Sequence, residues 1–232
     1  MKSSPNLTSE IPMSIPNTSS RLAVVGTGRM GKALVDALSH HHEEILWASR
    51  DERRSADAIR SLGLDDRVQP ADHEAAIRQA DIIFLAIWHQ DEKELVDRHR
   101  ELLDGKILVQ LANPFTPDFT DFTTAYDTSA AEQLAELIPT AHIVGAFKNI
   151  FWVVFDQPQF PEGVSDLLVT ADDETAKATV MGLLDPLPFR VLDGGALCNN
   201  RVIERMTLLS REIAVRYDHY PRVAYRLLGQ DH

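Results

Sequence analysis

Apolar positions in this chain fall into short unbroken runs, separated by stretches in which they recur at helical spacing. The first run, Arg21-Leu-Ala-Val-Val25, has the pattern of a buried strand. A turn over 26–31 follows, and then a helix to about Ser39 with Met30, Leu34, Ala37 and Leu38 on one face. The same reading predicts strands at 44–48, 67–68, 81–87, 106–111 and 142–147, and helices at 53–62, 72–79, 92–103 and 129–137. Within the fourth strand Ile82-Ile-Phe-Leu-Ala-Ile87 is apolar without interruption, as suits a parallel strand covered on both faces.

Strand and helix therefore alternate from 21 to 147, the pattern of a Rossmann-type, doubly wound parallel sheet in the α/β class. Beyond 147 the rhythm loosens. Residues 151–163 read as a loop. A strand at 166–170, a helix at 172–184, a strand at 189–192 and a long closing helix at 197–217 form a smaller C-terminal α/β unit. The first twenty residues are rich in Ser, Pro, Asn and Thr and read as a disordered tail. The expected organisation is a tail at 1–20, a nucleotide-binding domain at 21–150 and a small subdomain at 151–232.

Composition narrows the function classes. The 232 residues carry a net charge of -12, which disfavours nucleic acid and anionic lipid as partners. Cys198 is the one cysteine, so no internal disulfide forms, and no run approaches a membrane span. With no secretory pattern at the N-terminus, the expected setting is the cytoplasm. His40-His41-His42 lacks the accompanying Cys or paired carboxylates of a metal site, so no metal is expected.

Gly26-Thr-Gly28-Arg-Met-Gly31 fits G-x-G-x-x-G, and it stands where the pattern has meaning, between a buried strand and a helix. In that context Gly26 permits the tight turn, Gly28 admits a pyrophosphate close to the backbone, and Gly31 lets the helix pack on the strand. The helix N-terminus then faces the phosphates. An enzyme specific for NAD usually ends its second strand in a carboxylate that holds the ribose 2′-OH. Here Ser49 and Arg50 stand at that end, with Arg53 and Arg54 just beyond. A hydroxyl and guanidinium groups suit a 2′-phosphate, so the expected cofactor is NADP(H). Asp51 is a competing ribose ligand if the strand runs longer.

The ends of the later strands line the same crevice in such a fold. That nominates Ile87, Trp88 and His89, then Asn113, then Phe147, Lys148 and Asn149. Trp88 and Phe147 are suited to wall a flat acceptor ring. His89 and Lys148 are the candidate proton donors or anion partners.

Five segments together resemble the coenzyme F-420-dependent NADP oxidoreductases and the related cytosolic oxidoreductase domain of six-transmembrane metalloreductases. They are Gly26 to Gly31; Ala48-Ser49-Arg50; Lys106-Ile-Leu-Val-Gln110 with Asn113; Ser129-Ala-Ala-Glu132 followed by Val144-Gly-Ala-Phe-Lys-Asn-Ile150; and Leu192-Asp-Gly-Gly-Ala-Leu197. The resemblance implies NADP on Thr27, Gly28, Arg29 and Met30, with Ser49, Arg50 and Arg54 on its 2′-phosphate. It implies a deazaflavin or flavin (coenzyme F-420, FMN or FAD) as a second cofactor or substrate beside Ala146 to Ile150, and a homodimer. The acceptor side departs from the deazaflavin enzymes, which carry His-Thr where Lys148-Asn149 stand and a proline directly after the isoleucine matching Ile87. Other functions compatible with the residues are direct reduction of a small imine or carbonyl compound and non-catalytic NADP sensing.

Overall fold

Each all-apolar run folds as a strand with both faces covered. The computed structural model describes residues 20–64 and 66–229, so the tail expected at 1–20 lies outside the described residues except for Ser20. In chain order the elements begin with β1 (Leu22–Val25), α1 (Arg29–Ser39), β2 (Ile45–Ser49), α2 (Glu52–Leu62), β3 (Val68–Asp72) and α3 (His73–Gln79). They continue with β4 (Ile82–Leu85), α4 (His89–His99), β5 (Ile107–Gln110), α5 (Ala130–Leu137) and β6 (His142–Gly145). The remainder holds α6 (Val153–Asp156), β7 (Gln159–Phe160), β8 (Gly163–Val164), β9 (Asp166–Ala171), α7 (Glu174–Leu184), β10 (Arg190–Asp193) and α8 (Asn200–Arg216).

Eight strands form one sheet in the order β10-β9-β6-β5-β4-β1-β2-β3. Strands β1 to β6 pair in parallel, the doubly wound topology expected from the alternation. The C-terminal strands do not make a sheet of their own. β9 pairs antiparallel with β6 at Val144↔Ala171, and β10 runs parallel to β9. Residues 151–163, expected as a plain loop, contain α6 and one strand of the β7–β8 hairpin. Prolines and aromatics at 151–161 masked these elements, each too short to show a period.

Alternate residues of a strand point to opposite faces, and the core divides accordingly. Leu22 and Val24 join Leu34, Leu38, Trp47 and Phe84 on the face covered by α1, α2 and α7. Ala23 and Val25 join Ile77, Leu95, Val96 and Leu134 on the face covered by α3, α4 and α5. Several helices start on side-chain caps: Asp72, Ser129 and Asp173 accept from the backbone N–H of Ala75, Glu132 and Ala176. Pro70 lies in β3, the edge strand, where a missing N–H costs no ladder bond on the open side.

α8 is fastened to the sheet by charge. The Lys148 Nζ, fully buried, lies 2.8 Å from Glu204 Oε1, and Lys148 also donates to the Ala112 carbonyl. The Glu204 carboxylate accepts in turn from the backbone N–H of Ala130 at 3.1 Å, at the N-terminus of α5. Next to it Arg201 reaches Glu132 with its Nε 2.9 Å from Oε2, and Glu132 closes a capping box with Ser129. Glu204→Ala strands a buried ammonium without its counter-charge. It is expected to destabilise the fold by about 3–5 kcal/mol, measured by denaturant unfolding; a loss below about 1 kcal/mol, the scale of an exposed pair, would contradict the buried role given to Glu204.

Candidate active site

The C-terminal ends of β1, β2, β4, β5 and β6 open onto a single crevice of about 440 Å³, within the range of small-molecule and cofactor sites. Its floor is the turn between β1 and α1. The Trp47 indole N–H donates to the Gly26 carbonyl at 2.9 Å, and the Gly26 N–H donates to the Ala48 carbonyl, so β2 holds the turn in place. The three glycines differ in what requires them. Gly26 has φ +116°, and a Cβ there would sit 2.3 Å from the Ala86 carbonyl oxygen. A Cβ on Gly31 would sit 2.1 Å from the Gly26 oxygen. Gly28 has an ordinary φ of -74° and no protein atom within 4 Å of its Cβ position. The protein's own packing therefore requires the outer two, whereas a Cβ at the middle one would meet no protein atom. α1 starts without a side-chain cap and without an acidic residue in its first turn, leaving its N–H groups and dipole for an anion.

On the β2 side, Ser49 is buried, and its hydroxyl donates to the Asp51 carbonyl. Asp51 caps α2, its carboxylate accepting from the Arg53 N–H at 3.0 Å, and does not line the crevice. Arg50 and Arg54 do line it. The Arg50 guanidinium reaches across to α4, 3.6 Å from Asp91 and 3.7 Å from Glu94. His73, Arg98 and His99 complete this end. Burial, then the positive charges of His99, Arg50 and Arg98, push the His73 pKa down to about 4, so the ring is neutral near pH 7. Burial likewise lowers His99. The charge available to a phosphate at this end is therefore carried by guanidinium groups.

On the β4–β6 side the walls are aromatic. Ile87, Trp88, Asn113 and Phe147, nominated from the strand ends, line the crevice, and so does Ile150, which the family resemblance implied. Phe115 and Phe119 join them from the excursion between β5 and α5, with ring centroids of Trp88 and Phe119 6.2 Å apart and of Phe115 and Phe119 5.5 Å apart. Asn113 donates to the Lys148 carbonyl at 2.7 Å, while its Oδ1 is buried without a partner. Phe151, Trp152, Thr207, Arg211 and Tyr220 close the far wall.

Five residues selected from sequence do not line this space. Gly31 and Ala146 are buried behind it. Asn149 is buried and donates to the Asp166 carbonyl at 2.6 Å. Lys148 points away into its ion pair with Glu204. His89, the first residue of α4, spends both ring nitrogens: Nδ1 is 2.9 Å from Glu92 and Nε2 is 3.0 Å from Gln133 Oε1. Burial lowers its pKa, but the Glu92 hydrogen bond and charge, with Gln133, outweigh that and leave it raised. Strand ends give the position of a residue, not the direction of its side chain, and these residues turn into buried partners. Phe115, Phe119, Trp152, Arg211, Tyr220 and His73 went unselected. Thr207 and Arg211 lie four apart, on one face of the long helix, and that spacing was the available signal.

Fold and crevice together are those of a Rossmann-type dinucleotide-binding protein. Residues 21–114 match the family described as NADP oxidoreductase coenzyme F420-dependent. The chain is similar to the F420-dependent NADP reductase of Methanocaldococcus jannaschii, 24% identical over 85% of this chain and 93% of that protein. It is similar also to Metalloreductase STEAP3 of Rattus norvegicus, 28% identical over 84% of this chain but only 38% of that longer protein. A solved structure described as a putative F420-dependent NADP-reductase from Arthrobacter sp. FB24 shares the fold at a TM-score of 0.76 and 22% identity, covering 86% of this chain and 95% of that one. An imine reductase from Myxococcus stipitatus shares it at a TM-score of 0.60 and 18% identity, covering 86% and 63%. Over residues 21–114, and along most of its length against the archaeal reductase, the chain is similar to the coenzyme F420-dependent NADP oxidoreductases.

The contrast among the glycines is testable. Gly28→Val should leave the melting temperature nearly unchanged while weakening NADPH by about tenfold or more, read by fluorescence titration. Gly31→Ala should instead cost about 1–3 kcal/mol of stability, as over-packing does. A Gly28→Val protein with full affinity would refute the assignment of the turn.

Proposed function

We propose that this chain passes hydride between NADP(H) and a planar flavin-type acceptor, either a deazaflavin such as coenzyme F-420 or a flavin such as FMN or FAD. The observation that carries the reading is the aromatic end of the crevice, from which both expected proton donors are turned away, Lys148 into a buried ion pair with Glu204 and the half-buried His89 onto Glu92 and Gln133. NADPH, when bound, supplies the hydride; a flavin-type ring needs from the protein chiefly orientation and the exclusion of water. Thr27, Gly28, Arg29 and Met30 hold the pyrophosphate, and Ser49, Arg50 and Arg54 take the 2′-phosphate. Ile87 and Trp88 flank the nicotinamide end, where Asn113 offers its unpartnered Oδ1 to a carboxamide N–H. Trp88, Phe147 and Ile150 line the acceptor side, and Phe115 and Phe119 extend that wall. On the same reading the working form is a cytoplasmic homodimer acting on a small-molecule acceptor.

Direct reduction of an imine or carbonyl compound needs a proton at the reacting atom. Tyr220 lines that end of the crevice, and its phenolic O–H is the donor such a reaction would use. NADPH oxidation with FMN, the deazaflavin coenzyme and a cyclic imine, assayed side by side, separates the readings. Turnover is expected with a flavin-type ring. Turnover with the imine alone, lost in Tyr220→Phe, would overturn the proposal, and tight NADPH binding with no turnover would indicate a sensing role. Arg50→Ala should weaken NADPH by about 1.5–3 kcal/mol, the range of a charged hydrogen bond, with NADH almost unaffected; equal losses would remove the 2′-phosphate role.

A further inference from the structure

Arg211 stands apart from the other charged residues of the crevice. Arg29 belongs to the glycine turn, and Arg50, Arg54 and Arg98 belong to the β2 and α4 end. Arg211 comes from α8 and lines the acceptor end. Its Nη1 donates to the Phe119 carbonyl at 3.1 Å, and its guanidinium lies 5.3 Å from the Phe119 ring and 5.5 Å from the Tyr220 ring. Those contacts fix the plane of the group without neutralising it. Its Nε is buried and has no hydrogen-bond partner. Among the described residues no carboxylate pairs with it, although the chain carries a net charge of -12 and its neighbours on the same helix are paired: Arg205 lies 4.0 Å from Asp121 and Arg216 bonds Glu212 at 2.5 Å.

Its position also has a definite relation to the expected ring. Thr207, one helical turn earlier, donates to the Lys148 carbonyl at 2.7 Å, the same oxygen that accepts from Asn113. Arg211 is thus displaced from the Asn113 end by four residues of α8, about 6 Å along the helix axis. A rigid, partly desolvated guanidinium with a spare N–H binds a phosphate or carboxylate better than a neutral group.

We infer that Arg211 is the specificity determinant of the acceptor site, anchoring a phosphate or carboxylate carried on the acceptor's side chain while the ring lies against the aromatic wall. This rests on the flavin-type reading of the same crevice and narrows it to anionic acceptors. FMN and riboflavin share a ring and differ by one phosphate, so they are the probes. The NADP-loaded protein is titrated with each, following flavin fluorescence, so that no turnover is required. FMN should bind the wild-type protein more tightly than riboflavin by about tenfold or more. Arg211→Gln should abolish that preference, and Arg211→Lys, which keeps the charge, should retain part of it. The FMN-to-riboflavin ratio is the readout, because loosened packing would weaken both flavins together. Equal affinities in the wild type, or a preference that survives Arg211→Gln, would overturn the role of Arg211 and leave the flavin reading standing. Binding of neither flavin nor the deazaflavin coenzyme, titrated in the same way with NADPH still bound, would overturn the flavin-type reading itself and this inference with it.

Discussion

The ion pair between Lys148 and Glu204 holds the two halves of the crevice together. Lys148 follows β6 and Glu204 lies on α8; both are buried, and between them they engage the Ala112 carbonyl after β5 and the Ala130 N–H that opens α5. A bare charge in that place would cost several kcal/mol, so the helix, the two strand ends and the α5 terminus are constrained as a set. Arg201–Glu132 repeats the tie three residues earlier on the same helix. The consequence is local. Thr207 and Arg211, one and two turns further along α8, are carried to the wall of the crevice, and the C-terminal segment becomes part of the site.

The same pair explains how a residue expected to do chemistry serves architecture. Lys148 sits at the end of a parallel strand, where ligand-binding residues collect. Its backbone does face the site: the Lys148 carbonyl accepts from Asn113 and Thr207. Its ammonium goes the other way. His89 behaves likewise, held between Glu92 and Gln133 behind the crevice, with Glu92 itself held by Gln110 from β5. With Lys148 and His89 turned away, that end is lined by aromatic rings, and Arg211 is its charged group.

What could be read from the sequence follows from how far each signal reaches. β1 to β6 and their helices were legible because continuous apolar runs and 3.6-residue spacing are local. The outer glycines of the turn were legible because their strand and helix flank them directly. Asp51 could not be assigned from sequence, since a ribose ligand and a helix cap look alike until the Arg53 N–H is seen on its carboxylate. Ser129-Ala-Ala-Glu132 is one of the more specific parts of the family resemblance, and the structure gives it a mechanical meaning as a capping box whose glutamate grips α8. Phe115, Phe119, Arg211 and Tyr220 come from an excursion without regular structure, from one face of a long helix and from the segment beyond it. Only the fold brings them to one place, and no spacing announces it.

An acidic chain with arginines at its nucleotide crevice raises a question of which field a phosphate feels. Mobile ions screen exposed charges beyond about 8 Å at physiological salt, so the distant carboxylates matter little and the near ones decide. Asp91 and Glu94 are the near ones, each just under 4 Å from Arg50, whose side chain is 61% exposed. Exposed pairs of that length contribute about 0–1 kcal/mol. On the proposed reading, a 2′-phosphate accepting charged hydrogen bonds from the same guanidinium would contribute about 1.5–3 kcal/mol and prevail in that competition. On that reading the carboxylates on α4 would act as a resting partner that holds Arg50 over the crevice, weak enough to be exchanged for the phosphate and specific enough to keep the guanidinium in reach.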